Sequence, residues 1–386
     1  MIKAQTAFTT ELDDPKAAAA DILSQIDLGA LLKNNVGIIT FYQDMHETGV
    51  LDAVADALPF DTVGCTVLAG GTERGFAFEQ LSVAVLSSDD VSFSTAASGE
   101  ITPDNAEEMT RACYREARDA LGGEPSLIFV FGPITSEISG NRYTLALDEE
   151  SGGVPVFGML SNTGIIYEDA RVARDGKARR RMVTLLLIRG DVKTRFYSKA
   201  ISDSNITRRG SFVTESDDYL LKKINGVTVR EYLLDIGIAT GDTGAIASLP
   251  ILVDYKDGTK PTAYSMYANT DKGMLVGGLV PVGAEIAFAD VDYDSVMGTA
   301  ENALGMISED LDKDGASVLF ITPCFSRCLT LGIRSEDEMK MTAETLGRRL
   351  PYLFMYSGGE TCPVPDSDGR LVNRFHNMTY TAMAIS

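Results

Sequence analysis

The 386-residue chain contains no tryptophan and only two histidines, His46 and His376. A Ser-His-Asp hydrolase would have to place one of those two imidazoles beside a nucleophile, and no G-x-S-x-G elbow is present to supply it. Cysteines are sparse and odd in number: Cys65, Cys113, Cys324, Cys328 and Cys362. That is no disulfide framework for a chain of this length, and it predicts reduced thiols. No apolar run approaches the roughly 18 residues that a membrane-spanning helix needs. The N-terminus, MIKAQTAFTTELDDPKAAAADIL, lacks the basic stretch and apolar core of a signal peptide. Basic residues are also scarce, 34 against 55 acidic, for a net charge of -21. Such a surface repels nucleic-acid phosphates and anionic membranes, so neither is expected as a partner. Together these absences predict a cytoplasmic location.

What is present is an ordinary globular balance, 45% hydrophobic and 23% charged, long enough for two domains. Asp14-Pro15 opens an amphipathic helix, with proline in the first turn. Strands are predicted over 34–44, 60–70 and 126–133, with helices over 50–58 and 105–121. Two more strands flank the Ser-Ser-Asp-Asp turn at 87–90. The segments 181–190 and 194–200 read as a hairpin. Residues 204–218 are polar and without clear periodicity, and serve as the domain boundary. Beyond it, Asn225-Gly226 marks a tight turn before a helix. Strands over 251–258, 265–280 and 284–292 follow, then a helix over 294–311 and a strand over 317–323. The fold class is mixed α/β (α+β): two modules, 1–203 and 204–386, each with mixed sheets flanked by helices. No internal repeat is evident in the sequence.

Several motifs resolve into ordinary structure. Cys324-Phe-Ser-Arg-Cys328 has no second pair to complete a zinc site. Asp310, Asp312 and Asp314-Gly315 imitate half an EF-hand loop, but Ile321 stands where the bidentate glutamate is required. No dinucleotide fingerprint or Walker loop occurs. The basic run 170–182 reads as a solvated hairpin tip or strand edge rather than an anion site. Gly64-Cys65-Thr66 ends a strand in an α/β unit, where ligands collect, or is a core strand with a small thiol.

In chain order, VGCTVLAG, GGVPVFGMLSNT, LLKKINGVTVREYLLDIGI, LFITPCFSRCLTLG, YSGGETCPV and HNMT resemble the FIST family of sensory proteins, with its N-terminal and C-terminal modules. The G-C-(S/T)-T turn of that family is represented by Gly64-Cys65-Thr66, with Val67 in place of the second hydroxyl residue. Its C-x-G-R is represented by Cys324-Phe-Ser-Arg327, with Ser326 for glycine. The resemblance implies a sensor without catalysis that binds a small molecule, an amino acid being the usual proposal, and signals through a partner protein. No cofactor is expected in this chain. The expected ligand-binding residues are Gly64, Cys65, Thr66, Cys324, Arg327, Tyr356, Gly358, Gly359, Glu360 and Asn377. Arg327 would clamp a carboxylate and Glu360 receive an ammonium, or the two would pair with each other and tie two strands together. The alternatives are a cysteine nucleophile at Cys65 or Cys324 acting on acyl or amide substrates, a haem-based gas sensor using His46 or His376, and a scaffold with an acidic docking surface.

Overall fold

The computed structural model describes residues 1–164, 169–238 and 244–386, with the backbone alone for 244–248. Its elements recur three times in one order. The first set is β1 (Lys3–Thr9), α1 (Pro15–Gln25), β2 (Asn34–Phe41), α2 (Val50–Ala57), β3 (Thr62–Thr66), β4 (Gly70–Thr72), β5 (Gly75–Ala77) and β6 (Leu81–Ser88). The second is β7 (Ser92–Ala97), α3 (Ala106–Leu121), β8 (Leu127–Gly132), α4 (Gly140–Ser151), β9 (Val156–Leu160), β10 (Val172–Arg174), β11 (Lys177–Arg179) and β12 (Thr184–Arg189).

The third set starts with β13 (Thr194–Lys199) and is then interrupted by β14 (Ile206–Asp217), β15 (Leu220–Ile224), β16 (Val227–Thr228), α5 (Val229–Asp235), β17 (Gly244–Asp254), β18 (Thr262–Thr270), β19 (Gly273–Val276) and β20 (Glu285–Ala289). It resumes with α6 (Tyr293–Asp314), β21 (Val318–Pro323), α7 (Phe325–Leu331), α8 (Asp337–Leu346), β22 (Tyr352–Met355), β23 (Glu360–Pro365), β24 (Leu371–His376) and β25 (Tyr380–Ile385).

Each set builds four strands of its own sheet around a parallel pair, β2 with β3, β8 with β9, and β21 with β22. Each sheet is completed to six strands by a hairpin from another set. β10-β11 pairs onto β3, β23-β24 onto β9, and β4-β5 onto β22, so the exchange closes in a ring. The inner faces of the three sheets meet in one core that includes Val63, Cys65, Phe129, Phe157, Phe320 and Leu353. Phe129 packs edge-on against Phe157 at 5.8 Å and Phe320 at 4.9 Å between ring centres. The helices cover the outer faces. The interrupting segment forms an antiparallel sheet in which β14 also pairs with β15, closing it into a small barrel.

The mixed α/β class is as expected, and two details differ from the sequence reading. Residues 184–189 and 194–199 are not a hairpin: β12 lies between β7 and β8, while β13 pairs with β25 in another sheet. The polar stretch 204–218 is largely β14, an exposed strand whose two register shifts against β20 erase a clean alternation. The second and third sheets also take strands from both sides of residue 204, so the halves share sheets and core. The basic run forms the β10-β11 hairpin, turning at Asp175-Gly176 with φ of 49° and 78°, and β11 is an exposed edge. No helix of the described residues is long and apolar enough to cross a membrane.

Candidate functional site

The carboxyl ends of the parallel pairs are built alike. Register places Gly64 opposite Ile39, Gly158 opposite Val130 and Phe354 opposite Ile321, the same step in each ladder. Two residues further on, each chain donates a backbone bond to a neighbouring set: Thr66 N to Arg171 O (2.9 Å), Leu160 N to Gly359 O (2.9 Å), and Tyr356 N to Ala69 O (3.1 Å). Gly64 is required by the tight parallel pairing, since a Cβ there would lie 1.7 Å from Ile39 O.

A cavity of about 390 Å³ opens beside these turns, where the second and third sets meet the barrel. The loop after β8 contributes Ile134, Thr135, Ile138 and Ser139. The barrel contributes Tyr219, Ser265, Tyr267, Ala268, Val276 and Gly277. The turn into α7 and the helix contribute Cys324, Phe325, Ser326 and Leu329; Gly358, Phe375 and Asn377 complete the wall. The size suits a small metabolite, and the mixture of apolar walls with a few polar groups is that of a ligand pocket.

Of the expected ligand-binding residues, Cys324, Gly358 and Asn377 line this cavity. Asn377 is 8% exposed, and its carboxamide is seated against two glycines: a Cβ on Gly277 would lie 1.7 Å from Oδ1, and one on Gly359 2.9 Å from Nδ2. Gly359 thus supports the wall from behind. The Cys324 thiol is 2.9 Å from Ser326 Oγ, and burial, reinforced by Glu360, pushes its pKa up.

The remaining expected residues are placed elsewhere. Cys65 alternates inward from β3 into the central core, where burial raises its thiol as well. Thr66 is occupied by the hairpin exchange, its Oγ1 accepting from Arg171 N at 2.9 Å. Arg327 is 2% exposed and faces away from the cavity wall formed by its own helix. Its Nε donates to Glu338 (2.9 Å), Nη1 to Thr299 (2.9 Å) and Nη2 to Val296 O (2.8 Å). Burial disfavours the cation, but Glu338 more than offsets this, leaving the pKa raised. Tyr356 joins the same network through its hydroxyl, which donates to Glu338 at 2.8 Å. Arg327 therefore neither clamps a cavity carboxylate nor pairs with Glu360: Glu338, an acid not singled out in the sequence, sits closer and satisfies it.

Glu360 is fully buried behind Cys324 and accepts from Ser357 Oγ, while its Oε2 makes no hydrogen bond. Burial holds its pKa well above the carboxylate range, against smaller opposing effects from Ser357, Cys324 and Arg327. A carboxyl held toward its neutral form is a poor partner for an ammonium. The histidines are engaged as well. His46 contacts Gln43 O through Nδ1 (2.5 Å) and receives Arg171 Nε on Nε2 (2.8 Å). His376 donates from Nε2 to Cys362 O at 3.0 Å, and burial lowers its pKa to about 4. Neither lines the cavity. Among the described residues, no three His, Cys, Asp or Glu side chains gather as a metal set.

Residues 35–227 match the FIST N domain and residues 227–363 the FIST C domain. The chain belongs to the FIST family. FIST domains are associated with sensory signal transduction and small-ligand binding. No curated protein matches the chain. Among solved structures it is similar to a cyanuric acid hydrolase from A. caulinodans, at 9% identity over 100% of this chain and 99% of that one, with a TM-score of 0.36. A second cyanuric acid hydrolase gives 8% identity over 100% and 98%, with a TM-score of 0.40. At such scores the likeness carries no argument about this FIST protein.

Sequence reading missed much of the wall, including Ser139, Ser265, Tyr267 and Phe375. One signal was available: Gly277-Gly278 inside an apolar stretch marks a close backbone approach. Asn377 packs on the first of these glycines and the Tyr264 ring on the second.

Proposed function

We propose that this FIST protein is a cytoplasmic sensor that binds a small metabolite in the cavity between the barrel, α7 and the turn after β22, without catalysing a reaction. The observation that supports this is the placement of the cavity. An occupant touches the inserted barrel, the loop after β8 and α7 at once, so its binding would bias how these parts sit together. α7 also carries Arg327, whose bonds to Thr299, Val296 O and Glu338 tie it to α6 and α8. A change at the wall would thus reach the outer helices, where a signalling partner would read it. The five free, buried cysteines suit a reducing compartment. An amino acid is the ligand that the family resemblance suggests, and it is the first class to test.

Thermal-shift screening against amino acids and other metabolites tests the proposal, because a ligand bound to the folded state raises Tm by mass action. A hit is expected in the native protein and lost in Ala268→Trp, which fills the cavity from β18. Absence of any hit and of any co-purifying compound would remove the proposal. The thiol-enzyme alternative predicts rapid, selective alkylation of Cys324 at pH 6; slow, uniform modification is expected, because burial disfavours every thiolate.

A further inference from the structure

The lining of the cavity is selective in what it omits. No Asp, Glu, Lys, Arg or His belongs to it among the described residues. A zwitterion or carboxylate entering it would give up water for a wall with no countercharge, a cost that hydroxyls repay only in part. The buried titratable groups beside it do not help: Arg327 is spent on Glu338, and Glu360, held toward its neutral form, lies behind Cys324.

Asn377 is the polar anchor that remains. Its carboxamide lines the cavity, makes no side-chain hydrogen bond to the protein among the described residues, and is gripped on both sides. The grip fixes its geometry, since the Gly277 backbone lies under Oδ1 and Gly359 under Nδ2, and a methyl group at either position would displace the amide. A fixed, unpartnered carboxamide presents one acceptor and one donor side by side. The complementary edge is a neighbouring N–H and C=O, as in a lactam, imide or ureide ring. Phe325, Phe375 and Tyr267 offer aromatic surface for the body of such a ring.

We infer that the cavity takes an uncharged ligand bearing a cis-amide edge, which pairs with the Asn377 carboxamide in a two-point hydrogen bond. The inference rests on the sensory reading above and narrows its ligand class away from amino acids. Loss of both bonds should weaken binding about tenfold or more.

The test compares three probes of similar size by thermal shift and calorimetry: 5-phenylhydantoin, its N-methylated form, and phenylalanine. The expected order is 5-phenylhydantoin above the N-methyl form, with no response to phenylalanine. Asn377→Leu should lose about tenfold in affinity for the hydantoin, and Asn377→Gln, which keeps the amide but misplaces it, should lose part of that. Unliganded Tm values of the variants control for folding. A phenylalanine response that Ala268→Trp abolishes would overturn the neutral-ligand inference and leave the sensory reading standing. Equal hydantoin affinity in Asn377→Leu would overturn the inference too. No response to any of the three probes, with hits elsewhere in the metabolite screen, would overturn the inference alone; a blank screen would remove both.

Discussion

The turn after β3 and the turn after β22 stand at the same step of equivalent parallel ladders, yet one is core and the other borders a cavity. From the third position of β3 the chain runs Gly64-Cys65-Thr66-Val67-Leu68-Ala69, and from the equivalent position of β22 it runs Phe354-Met355-Tyr356-Ser357-Gly358-Gly359. In the first, Cys65 and Val67 fill the central core and Thr66 ties down a borrowed hairpin. In the second, Gly358 forms wall and Gly359 supports Asn377. Topology makes the turns alike; small residues, and the barrel that only the third set carries, leave a cavity beside one of them. A motif at the end of an α/β strand is therefore a candidate by position, and its neighbours decide whether it faces a ligand.

The largest effect that would test this contrast is at Arg327. If it is a structural pair with Glu338, Arg327→Ala leaves a buried, uncompensated carboxylate and costs about 3–5 kcal/mol by urea unfolding. Stability within about 1 kcal/mol of wild type would return Arg327 to the list of ligand residues. Next come the paired glycines. Gly64→Ala and Gly158→Ala drive a Cβ to 1.7 Å from Ile39 O and 1.9 Å from Val130 O. Both should destabilise by about 2–4 kcal/mol, with similar values at the two sites. Markedly different values would break the equivalence of the ladders.

His376 gives a smaller, pH-dependent effect. Its folded pKa of about 4 lies below the ordinary 6.5, so the stability it contributes is present above pH 6.5 and is lost as pH falls toward 4. Integration over that window predicts a loss of about 2 kcal/mol from pH 7 to 5, absent in His376→Gln. Asp218, whose pKa burial raises to about 6, opposes it, because that contribution is present at low pH and lost as pH rises through about 6. The difference between wild type and His376→Gln isolates the histidine, and a pH-independent difference would show that it is not buried as a neutral ring. The smallest effect is expected at Glu360. A carboxyl held toward its neutral form is mimicked by an amide, so Glu360→Gln should change stability by less than about 1 kcal/mol at pH 7. A loss comparable to that of Arg327→Ala would mean that Glu360 is ionised and paired.

Local patterns in the chain carried most of the elements. Asp14-Pro15 starts α1, with the Asp14 side chain accepting from Lys16 N and Ala17 N, and Asn225-Gly226 turns β15 into β16. The family motifs pointed to Cys324, Gly358 and Asn377, which do meet at one wall. They also pointed to Arg327, because an arginine near a glycine-glutamate turn suggests a clamp; its proximity to Glu338 on α8, 11 residues away in sequence, depends on how α7 packs against α8. The hairpin expected at 181–200 failed for a related reason. Adjacent strands of suitable length imply a hairpin only if they share a sheet, and here β12 ends one set while β13 begins the next.

The sequence by itself determined the class of protein: mixed α/β elements, free thiols, an acidic surface, and the family to which the chain belongs. Periodicity, turn chemistry and charge are local or summed properties, so they survive without coordinates. Only the tertiary structure decided the threefold recurrence, because its sets share pairing geometry and hardly any residues. It also decided which of two equivalent turns borders a cavity and which acid holds Arg327. Those are contacts between segments far apart in the chain, and their energies depend on burial and distance that no single stretch of sequence contains.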